Sequence, residues 1–373
     1  MTFSTQDHQM MQKAILLAKQ GIYTTAPNPN VGCVLVKNGK IIGEGAHLKV
    51  GEPHAEVHAL RQAGDNAKGA TAYVTLEPCS HYGRTPPCAE GLIKAGVAKV
   101  ICAMVDPNPQ VAGRGLAMLN AAGIETESGL LEADSRALNP SFLQRMETGK
   151  PFVQLKMAAS LDGKTALANG ESQWITSKEA RQDVQRYRAL SGAILSTAKT
   201  VIEDNASLNV RWDDLPLSIQ KNYPERKLRQ PLRVILDRQH QLTSDLKLFN
   251  VEGNVTTISS QLSHPISSQH SHLHCNVCDD GKLILSEVID KIVQECNVNH
   301  IWVEAGATLA ASMIEANLVD ELIIYLAPKL MGSDGRSLLN IVGLTTMSEA
   351  IDLNITDVRM VGKDIRITAK IAR

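Results

Sequence analysis

Apolar positions recur along this chain at two different spacings, and the switches between them outline its elements. Over residues 7–20, Met10, Ala14, Leu17 and Ala18 fall on one side at helical spacing, which predicts an amphipathic helix. The turn-rich APNPN that follows gives way to the apolar run VGCVLV, a strand. His54 to Ala63 reads as a helix stopped by Gly64, and TAYVTLE (71–77) as a strand running into Pro78. Cys88 to Ala95 is a helix, KVICAMVD (99–106) a strand, Arg114 to Ala122 a helix and IETES a short strand. Strands separated by helices of about ten residues predict an α/β layered sheet with helices on its faces.

A second alternation begins after ETGKP (147–151), where Gly and Pro interrupt the pattern. PFVQLKMAAS reads as a strand, SKEARQDVQRYRALS as a helix, and AILST and LRVILD (232–237) as strands. Residues 205–231 and 238–280 are polar and irregular, with no secure period. HIWVEAG (300–306), TLAASMIEAN and DELIIYLAP then give strand, helix and strand. The expected organisation is two domains, 1–147 and 148–373, with no internal repeat.

Composition narrows the class. The 373 residues exceed one ordinary domain, and 43% hydrophobic with 21% charged residues is globular. Lys plus Arg number 38 and Asp plus Glu 39, a balance unsuited to neutralising a nucleic-acid backbone. Aromatics are 3%, too few for base-stacking platforms. No apolar run approaches a membrane span, and the N-terminus lacks the pattern of a secretory signal. Seven Cys, an odd number, do not suggest a disulfide scaffold. The expectation is a cytoplasmic two-domain protein that binds neither nucleic acid nor membrane.

The chemistry-bearing pattern is His54-Ala55-Glu56, then Pro78-Cys79, then Cys88. Two thiolates and one imidazole supply three ligands to a tetrahedral Zn²⁺ and leave the fourth position for water. Such a metal lowers the pKa of its water to roughly 7. Glu56, two residues from a ligand on a helix, is placed to shuttle the proton to a ring nitrogen and then to leaving ammonia. Taken singly, each feature is bland, a helix surface or core thiols; together they form the pattern of zinc nucleobase deaminases. Nucleic-acid-editing members space the Cys pair as C-x-x-C, whereas here SHYGRTPP intervenes. His81 and Arg84 in that loop can donate hydrogen bonds and place positive charge near the metal, as a small phosphorylated substrate requires.

H-A-E followed by PCSHYGRTPPC, with APNPNVG before and VDPNPQVAGRG after, resembles the N-terminal half of the bifunctional riboflavin-biosynthesis deaminase-reductase family. KMAASLDGKTALANGESQWIT and IWVEAGATLA resemble its reductase half, so the likeness covers nearly the whole chain. It implies a cytidine-deaminase-like three-layer domain followed by a dihydrofolate-reductase-like domain. It implies deamination of a diamino-phosphoribosylamino-pyrimidinone, then NADPH-dependent reduction of the ribosyl group to ribityl. Carried over by motif, Asn28, His81, Arg84, Asp106 and Asn108 would touch the deaminase substrate, with Asn30 the neighbouring candidate for Asn28.

In the second half no GxGxxG follows the first strand, so an ordinary dinucleotide site is not signalled. Strand, Gly306 and helix in succession can hold a phosphate on free N–H groups, though such a turn alone is usually structural. Lys156 and Glu304 are charges in otherwise apolar strands, either exposed or in a site. The resemblance gives them substrate polarisation and proton supply for hydride transfer. It also implies that Ser172, Arg188, Leu208, Arg211 and Glu304 bind substrate, and that Ala158, Trp174, Thr200, Asp204 and Gly306 bind NADPH. Two departures from the family are Asp204-Asn205-Ala206 for D-[DN]-P and Gly306-Ala307 for Gly-Pro; both remove rigidity rather than donors.

His272, His274, Cys275 and Cys278 have metal-like spacing but no second half, and read as an incidental polar loop. Two competing classes fit less well. A tRNA or single-strand deaminase is opposed by the Cys gap, the neutral charge and the few aromatics. A zinc-stabilised assembly protein is opposed by Glu56, which a closed structural site does not use. The partners expected are small phosphorylated pyrimidines and copies of the chain itself, a dimer first.

Overall fold

Ser4 opens the first helix with a reciprocal cap: its hydroxyl accepts from Asp7 N at 3.2 Å, and the Asp7 carboxylate accepts from Ser4 N at 2.8 Å. The computed structural model describes residues 3–82, 86–261 and 264–372, and the chain divides into two units, 1–150 and 151–373.

In the first unit, α1 (Thr5–Ala18) buries Met11, Ala14, Ile15, Leu17 and Ala18. The buried stripe is therefore centred one residue from the expected one. Met11 completes the i, i+3, i+4 row with Ala14 and Ile15, and Met10 sits at its margin. β1 (Gly32–Lys37) and β2 (Lys40–Ala46) form a hairpin across Asn38-Gly39, both with positive φ, the Asn-Gly turn that matches strand twist. The apolar pattern does not announce β2, because Gly43 and Gly45 leave one of its faces without side chains. That blank face seats α2 (Ala55–Ala63): a Cβ at Gly43 would lie 2.2 Å from Ala59 O, and one at Gly45 2.1 Å from Ala55 O.

β3 (Thr71–Val74), α3 (Cys88–Ala95), β4 (Lys99–Cys102), α4 (Arg114–Ala121) and β5 (Glu125–Ser128) follow, close to their expected places. The sheet order is β2-β1-β3-β4-β5, with β3, β4 and β5 parallel. Alternate residues feed opposite faces: Leu35, Val74 and Val100 pack under α2–α4, while Val34, Tyr73 and Ile101 pack under α1. The result is three layers. Two helices not anticipated, α5 (Glu132–Arg136) and α6 (Pro140–Thr148), close the unit.

The second unit is built on a larger sheet. Its strands are β6 (Phe152–Ser160), β8 (Ala193–Thr197), β9 (Leu232–Leu236), β10 (Val255–Ser259), β11 (His270–His274), β12 (His300–Glu304), β13 (Glu321–Ala327), β15 (Leu353–Val361) and β16 (Asp364–Ile371). The order is β11-β10-β9-β8-β12-β6-β13-β16-β15, parallel up to β13 and antiparallel beyond. β7 (Lys164–Ala166) pairs with β14 (Arg336–Ser337) separately. Ile194, Trp302 and Tyr325 pack on one face beneath α7 (Lys178–Leu190) and α8 (Ala198–Asp204). Leu155, Leu195 and Val303 pack on the other beneath α10 (Leu285–Cys296) and α11 (Ala307–Glu315). A short α9 (Leu217–Gln220) lies within the irregular 205–231 stretch.

The 238–280 stretch is not wholly irregular, since it supplies β10 and β11. Their sequences, VTTIS and HSHLH, hide because Thr, Ser and His fill buried positions through hydrogen bonds instead of apolar contact. Thr257 Oγ1 meets His270 Nε2 at 2.9 Å and His272 Nδ1 at 3.1 Å. The HSHLHC segment is thus an edge strand and not a loop.

Candidate active sites

In parallel sheets, functional groups gather beyond the carboxyl ends of the strands, and both units follow that rule. In the first, β3 ends at Val74 and the chain runs through Glu77 and Pro78 to Cys79. His54 caps the start of α2 and Cys88 is the first residue of α3. The two sulfurs approach the same imidazole nitrogen: Cys79 Sγ lies 3.7 Å and Cys88 Sγ 3.3 Å from His54 Nδ1. These three donor atoms all lie within 4.8 Å of one another, and no other such group occurs among the described residues. Tetrahedral bonds of about 2.0–2.3 Å put ligand atoms roughly 3.3–3.8 Å apart, so the donor set has the size zinc needs.

Its electrostatics point the same way. A hydrogen bond from the Cys88 side chain, with His54 beside it, draws the Cys79 thiol down to about 4. That same bond, burial and the Glu56 carboxylate push Cys88 up. Both can be thiolates together only around a cation, and a thiophilic divalent metal fits. Cys88 N also donates to Cys79 Sγ at 3.3 Å, using one of the free amides of the α3 terminus. Glu56 is buried, and burial first, then Cys79, raises its carboxyl above the usual range. Its carboxylate reaches the Cys88 thiol, while Oε2 is buried without a partner.

Of the other expected residues, Asn28 and Asp106 have contacts that lead back to this centre. Asn28 Nδ2 is 3.1 Å from His47 Nε2, and the His47 ring meets the His54 ring edge-on at 5.2 Å. Asn30 faces elsewhere: its side-chain amide donates to Leu138 O and Asn139 Oδ1, both at 3.0 Å. Asp106 is buried, which pushes its carboxyl up to about 6, and His81 and Cys79 both act on it electrostatically. Asp106 Oδ1 accepts from Asn108 N at 2.8 Å. Arg84 lies outside the described residues. Sequence reasoning missed His47, whose only signal is a lone His just ahead of the H-A-E helix; it is 2% exposed.

In the second unit, Lys156 and Glu304 face each other across β6 and β12 in register. Arg188 on α7 grips Glu304 with two bonds, Nε to Oε1 at 2.6 Å and Nη2 to Oε2 at 2.8 Å. Trp302 Nε1 adds a third at 2.9 Å, and the Trp302 ring stacks on Tyr187 at 4.7 Å. Burial pushes the Glu304 carboxyl up, but Arg188 and then Lys156 outweigh it and hold it at about 2. Burial lowers the Lys156 ammonium, with Glu304 partly opposing.

These residues open onto one cleft of about 1320 Å³, larger than a pocket for one small ligand. The residues expected to meet substrate, Ser172, Arg188, Leu208 and Arg211, line it, as do Ala158, Trp174, Thr200, Asp204 and Gly306. Gly306 is the N-cap of α11, with no side-chain cap and nothing within 4 Å of where a Cβ would stand. That leaves free amides facing room for an anionic group, a cradle a dinucleotide phosphate fits. Trp174 is exposed and lies under the Arg181 guanidinium at 4.4 Å. Lys247, Val251, Asn209 and Tyr325 also line the cleft and were not anticipated; the first three come from the two stretches read as irregular. Asn205, which keeps to the family pattern, caps α8 at φ 44, a conformation Asn tolerates; nothing in the structure explains Ala206 in place of Pro.

Comparison with known proteins agrees with this arrangement. Residues 151–367 match the family described as RibD C-terminal domain, and residues 4–104 match the cytidine and deoxycytidylate deaminase zinc-binding region. The chain is 54% identical over 366 residues to riboflavin biosynthesis protein RibD of Haemophilus influenzae, covering 98% of each. To the Escherichia coli protein of the same name it is 50% identical, covering 96% of this chain and 98% of that one. A solved structure of Acinetobacter baumannii RibD superposes with a TM-score of 0.89 at 45% identity, covering 98% and 99%. A Thermotoga maritima diaminohydroxyphosphoribosylaminopyrimidine deaminase/5-amino-6-(5-phosphoribosylamino)uracil reductase superposes with a TM-score of 0.83 at 30% identity, covering 98% and 99%. The expected fold, a deaminase-like three-layer domain before a dihydrofolate-reductase-like one, is the fold found. With a zinc-binding deaminase region in one half and a reductase domain in the other, this chain belongs to the RibD family, the bifunctional deaminase-reductases of riboflavin biosynthesis.

Proposed function

We propose that the first unit deaminates the diaminohydroxyphosphoribosylaminopyrimidine named for the Thermotoga relative, and that the second reduces the resulting aminouracil's ribosyl group to ribityl with NADPH. The observation that carries this reading is the Glu56 carboxylate, buried with an unpartnered oxygen beside a donor set of one imidazole and two thiols. Zinc held by His54, Cys79 and Cys88 supplies Lewis acidity that brings a water's pKa to about 7. Glu56 accepts the proton at its carboxylate, hands it to the ring nitrogen and then to the departing ammonia. Asn28, His81, Asp106 and Asn108 orient the pyrimidine and its phosphoribosyl arm.

In the second unit NADPH supplies the hydride. Thr200, Asp204, Ala158, Trp174 and the amides after Gly306 hold the cofactor in the cleft. Lys156, its ammonium made more acidic by burial, delivers the proton to the sugar oxygen as the ring opens. Glu304, pinned as a carboxylate by Arg188, orients Lys156 and the sugar hydroxyls and holds no proton itself. Arg188 commits its fork to Glu304 and to Asn209 O at 3.0 Å, so it meets the substrate phosphate by charge. Arg211, paired with Asp214 at the rim, is the freer cation, while Ser172 and Leu208 complete the substrate wall.

No helix among the described residues is long and apolar enough to cross a membrane. We place the protein in the cytoplasm, where seven unpaired thiols suit a reducing environment. We also infer a homo-oligomer, a dimer first. The bulge in β15 between Ile355 and Asp357 brings Leu353, Ile355, Val358 and Met360 to one exposed face of an edge strand, a surface that a two-fold copy can cover.

The test is incubation with the diaminopyrimidine substrate, with and without NADPH, followed by mass analysis. Deamination should appear in both samples and reduction only with NADPH. An unchanged substrate mass in the zinc-loaded protein would overturn the first half of the reading; deaminated product that NADPH leaves unreduced would overturn the second.

A further inference from the structure

Between the strand end that carries Cys79 and the segment that carries Asp106 and Asn108 lies a carboxylate with no part in the chemistry above. Glu77 is 3% exposed, and four backbone amides satisfy it. Its Oε2 accepts from Asp106 N at 3.1 Å and Gly113 N at 2.9 Å. Its Oε1 accepts from Gly115 N at 2.9 Å and Leu116 N at 3.2 Å. All four donors come from the stretch between β4 and the first turn of α4, distant along the chain from Glu77. Gly115 N and Leu116 N belong to the free amides of the α4 start, where negative charge is favoured.

The approach is close. A Cβ at Gly115 would come 2.0 Å from Pro78 O, so the helix start rests directly on the peptide before Cys79. Glu77 N in turn donates to Met104 O at 3.0 Å, two residues before Asp106. One side chain thus fixes the strand end bearing Cys79 against the loop bearing Asp106, whose Oδ1 then fixes Asn108 N. A side chain that only filled this space could be apolar. A carboxylate matching four N–H groups specifies where that loop sits.

We propose that Glu77 is a positioning residue for deamination: its carboxylate clamps the 106–116 segment so that Asp106 and Asn108 stand at a set distance from the zinc ligands. The proposal rests on the reading that Asp106 and Asn108 contact the substrate. Glu77→Gln keeps the shape but turns an NH₂ group toward amides that need an acceptor. Losing carboxylate-acceptor bonds of this kind should raise the KM of deamination about tenfold or more. Zinc per chain and kcat should change far less. Gly115→Ala, which pushes the same contact apart from the other side, should raise KM in the same way.

The experiment measures kcat, KM and zinc content for Glu77→Gln, Gly115→Ala, Asp106→Asn and the double variant Glu77→Gln/Asp106→Asn. If Glu77 acts through Asp106, the double variant should be little worse than the poorer single one. In the wild type, the amides of Asp106, Gly113, Gly115 and Leu116 should exchange slowly although they lie outside the sheet ladder. Fast exchange there would overturn the clamp without any variant. An unchanged KM in Glu77→Gln, with activity falling only in step with zinc, would make Glu77 a structural group. If Asp106→Asn raises KM and Glu77→Gln does not, the proposal alone fails. If Asp106→Asn leaves KM unchanged, the substrate assignment fails and takes the proposal with it.

Discussion

Glu56 and Glu304 are both carboxylates enclosed by protein, and their surroundings drive them in opposite directions. Glu56 has sulfur and burial about it, and its carboxyl rises. Burial raises Glu304 as well, but a bidentate guanidinium and a nearby ammonium bring it to about 2. Burial alone therefore does not decide whether an acid carries a proton; the nearest fixed cation does. The two roles differ with what each carboxylate touches, a metal-site thiol for Glu56 and a guanidinium fork for Glu304. The deaminase site needs a carboxylate that can pick up and release a proton, and the reductase site needs one that stays charged beside a proton-bearing lysine.

The strongest way to break this comparison is to remove the proton-carrying acid. Glu56→Ala should retain about one zinc per chain and lose deamination by about 10² to 10⁴, the usual worth of a general acid–base group. Its reduction of added 5-amino-6-(5-phosphoribosylamino)uracil should continue at nearly the normal rate. Equal loss of both activities in a folded, zinc-loaded protein would mean one shared site. Cys79→Ala complements this test. It should lose the metal, whereas retained zinc would shift the ligand set to other residues.

Next in size is the reverse experiment. Lys156→Ala and Glu304→Gln should each slow reduction by about 10², within the range for a positioned proton donor, while leaving deamination near wild type. The pair separates further by pH. Lys156→Ala should lose the basic limb of the rate profile of reduction, because the group whose ammonium is lost at high pH is gone. Glu304→Gln should keep that limb and move it lower, since Glu304 raises the Lys156 value. An unshifted limb in Glu304→Gln would mean the two side chains do not communicate.

The same contrast explains which features are legible in the order of the amino acids and which are not. The metal site is assembled from residues 54 to 88, and its ligand types are rare enough together to declare their chemistry. The first four helices of the first unit and the central strands are legible because their apolar periods are clean, whereas α5 is too short to show one. The reductase site is scattered from Lys156 to Glu304 and beyond, on strand ends that meet only through the sheet order. No local motif encodes that meeting. β2 stays hidden because its glycines make room for a helix, and β10 and β11 because their buried positions are filled by Thr, Ser and His. His47, Trp302 and Glu77 escape for one reason: each acts by holding another residue, and a supporting contact leaves no spacing to recognise.

A third prediction sharpens the electrostatic difference away from either site. His300, at the start of β12, is buried against Gln154, with Nε2 2.9 Å from Gln154 Oε1. Burial, with Arg229 adding to it, lowers its imidazole from 6.5 to about 4. Below pH 6.5 the unfolded chain takes up a proton that the folded chain refuses. The stabilisation is thus complete above about pH 6.5 and is lost as pH falls toward 4, amounting to up to about 3 kcal/mol. All three Trp residues, Trp174, Trp212 and Trp302, lie in the second unit, so urea unfolding followed by Trp fluorescence reports on it alone. Stability should fall between about pH 7 and 5, and His300→Gln should flatten that fall. An equally steep fall in the variant would assign the acid sensitivity to other groups.

The smallest expected effect separates two asparagines two residues apart. Asn28 stands beside His47 with one side-chain bond, and the His47 ring in turn meets the ring of His54. Asn30 is built into the unit: its backbone N donates to Asn139 Oδ1 at 2.6 Å, and its side chain reaches Leu138 O and Asn139 Oδ1. Removing a side chain that binds only substrate should cost about one hydrogen bond, or up to about tenfold in the KM of deamination, with stability unchanged. Removing one that satisfies buried backbone groups should cost about 1–3 kcal/mol of folding stability. Asn28→Ala should therefore raise KM without lowering the temperature at which zinc is released on heating. Asn30→Ala should lower that temperature, and at a temperature where it is folded its KM should stay near the wild-type value. The reverse pattern, KM carried by Asn30 and stability by Asn28, would move the substrate contact to Asn30 and leave His47 with a purely structural partner.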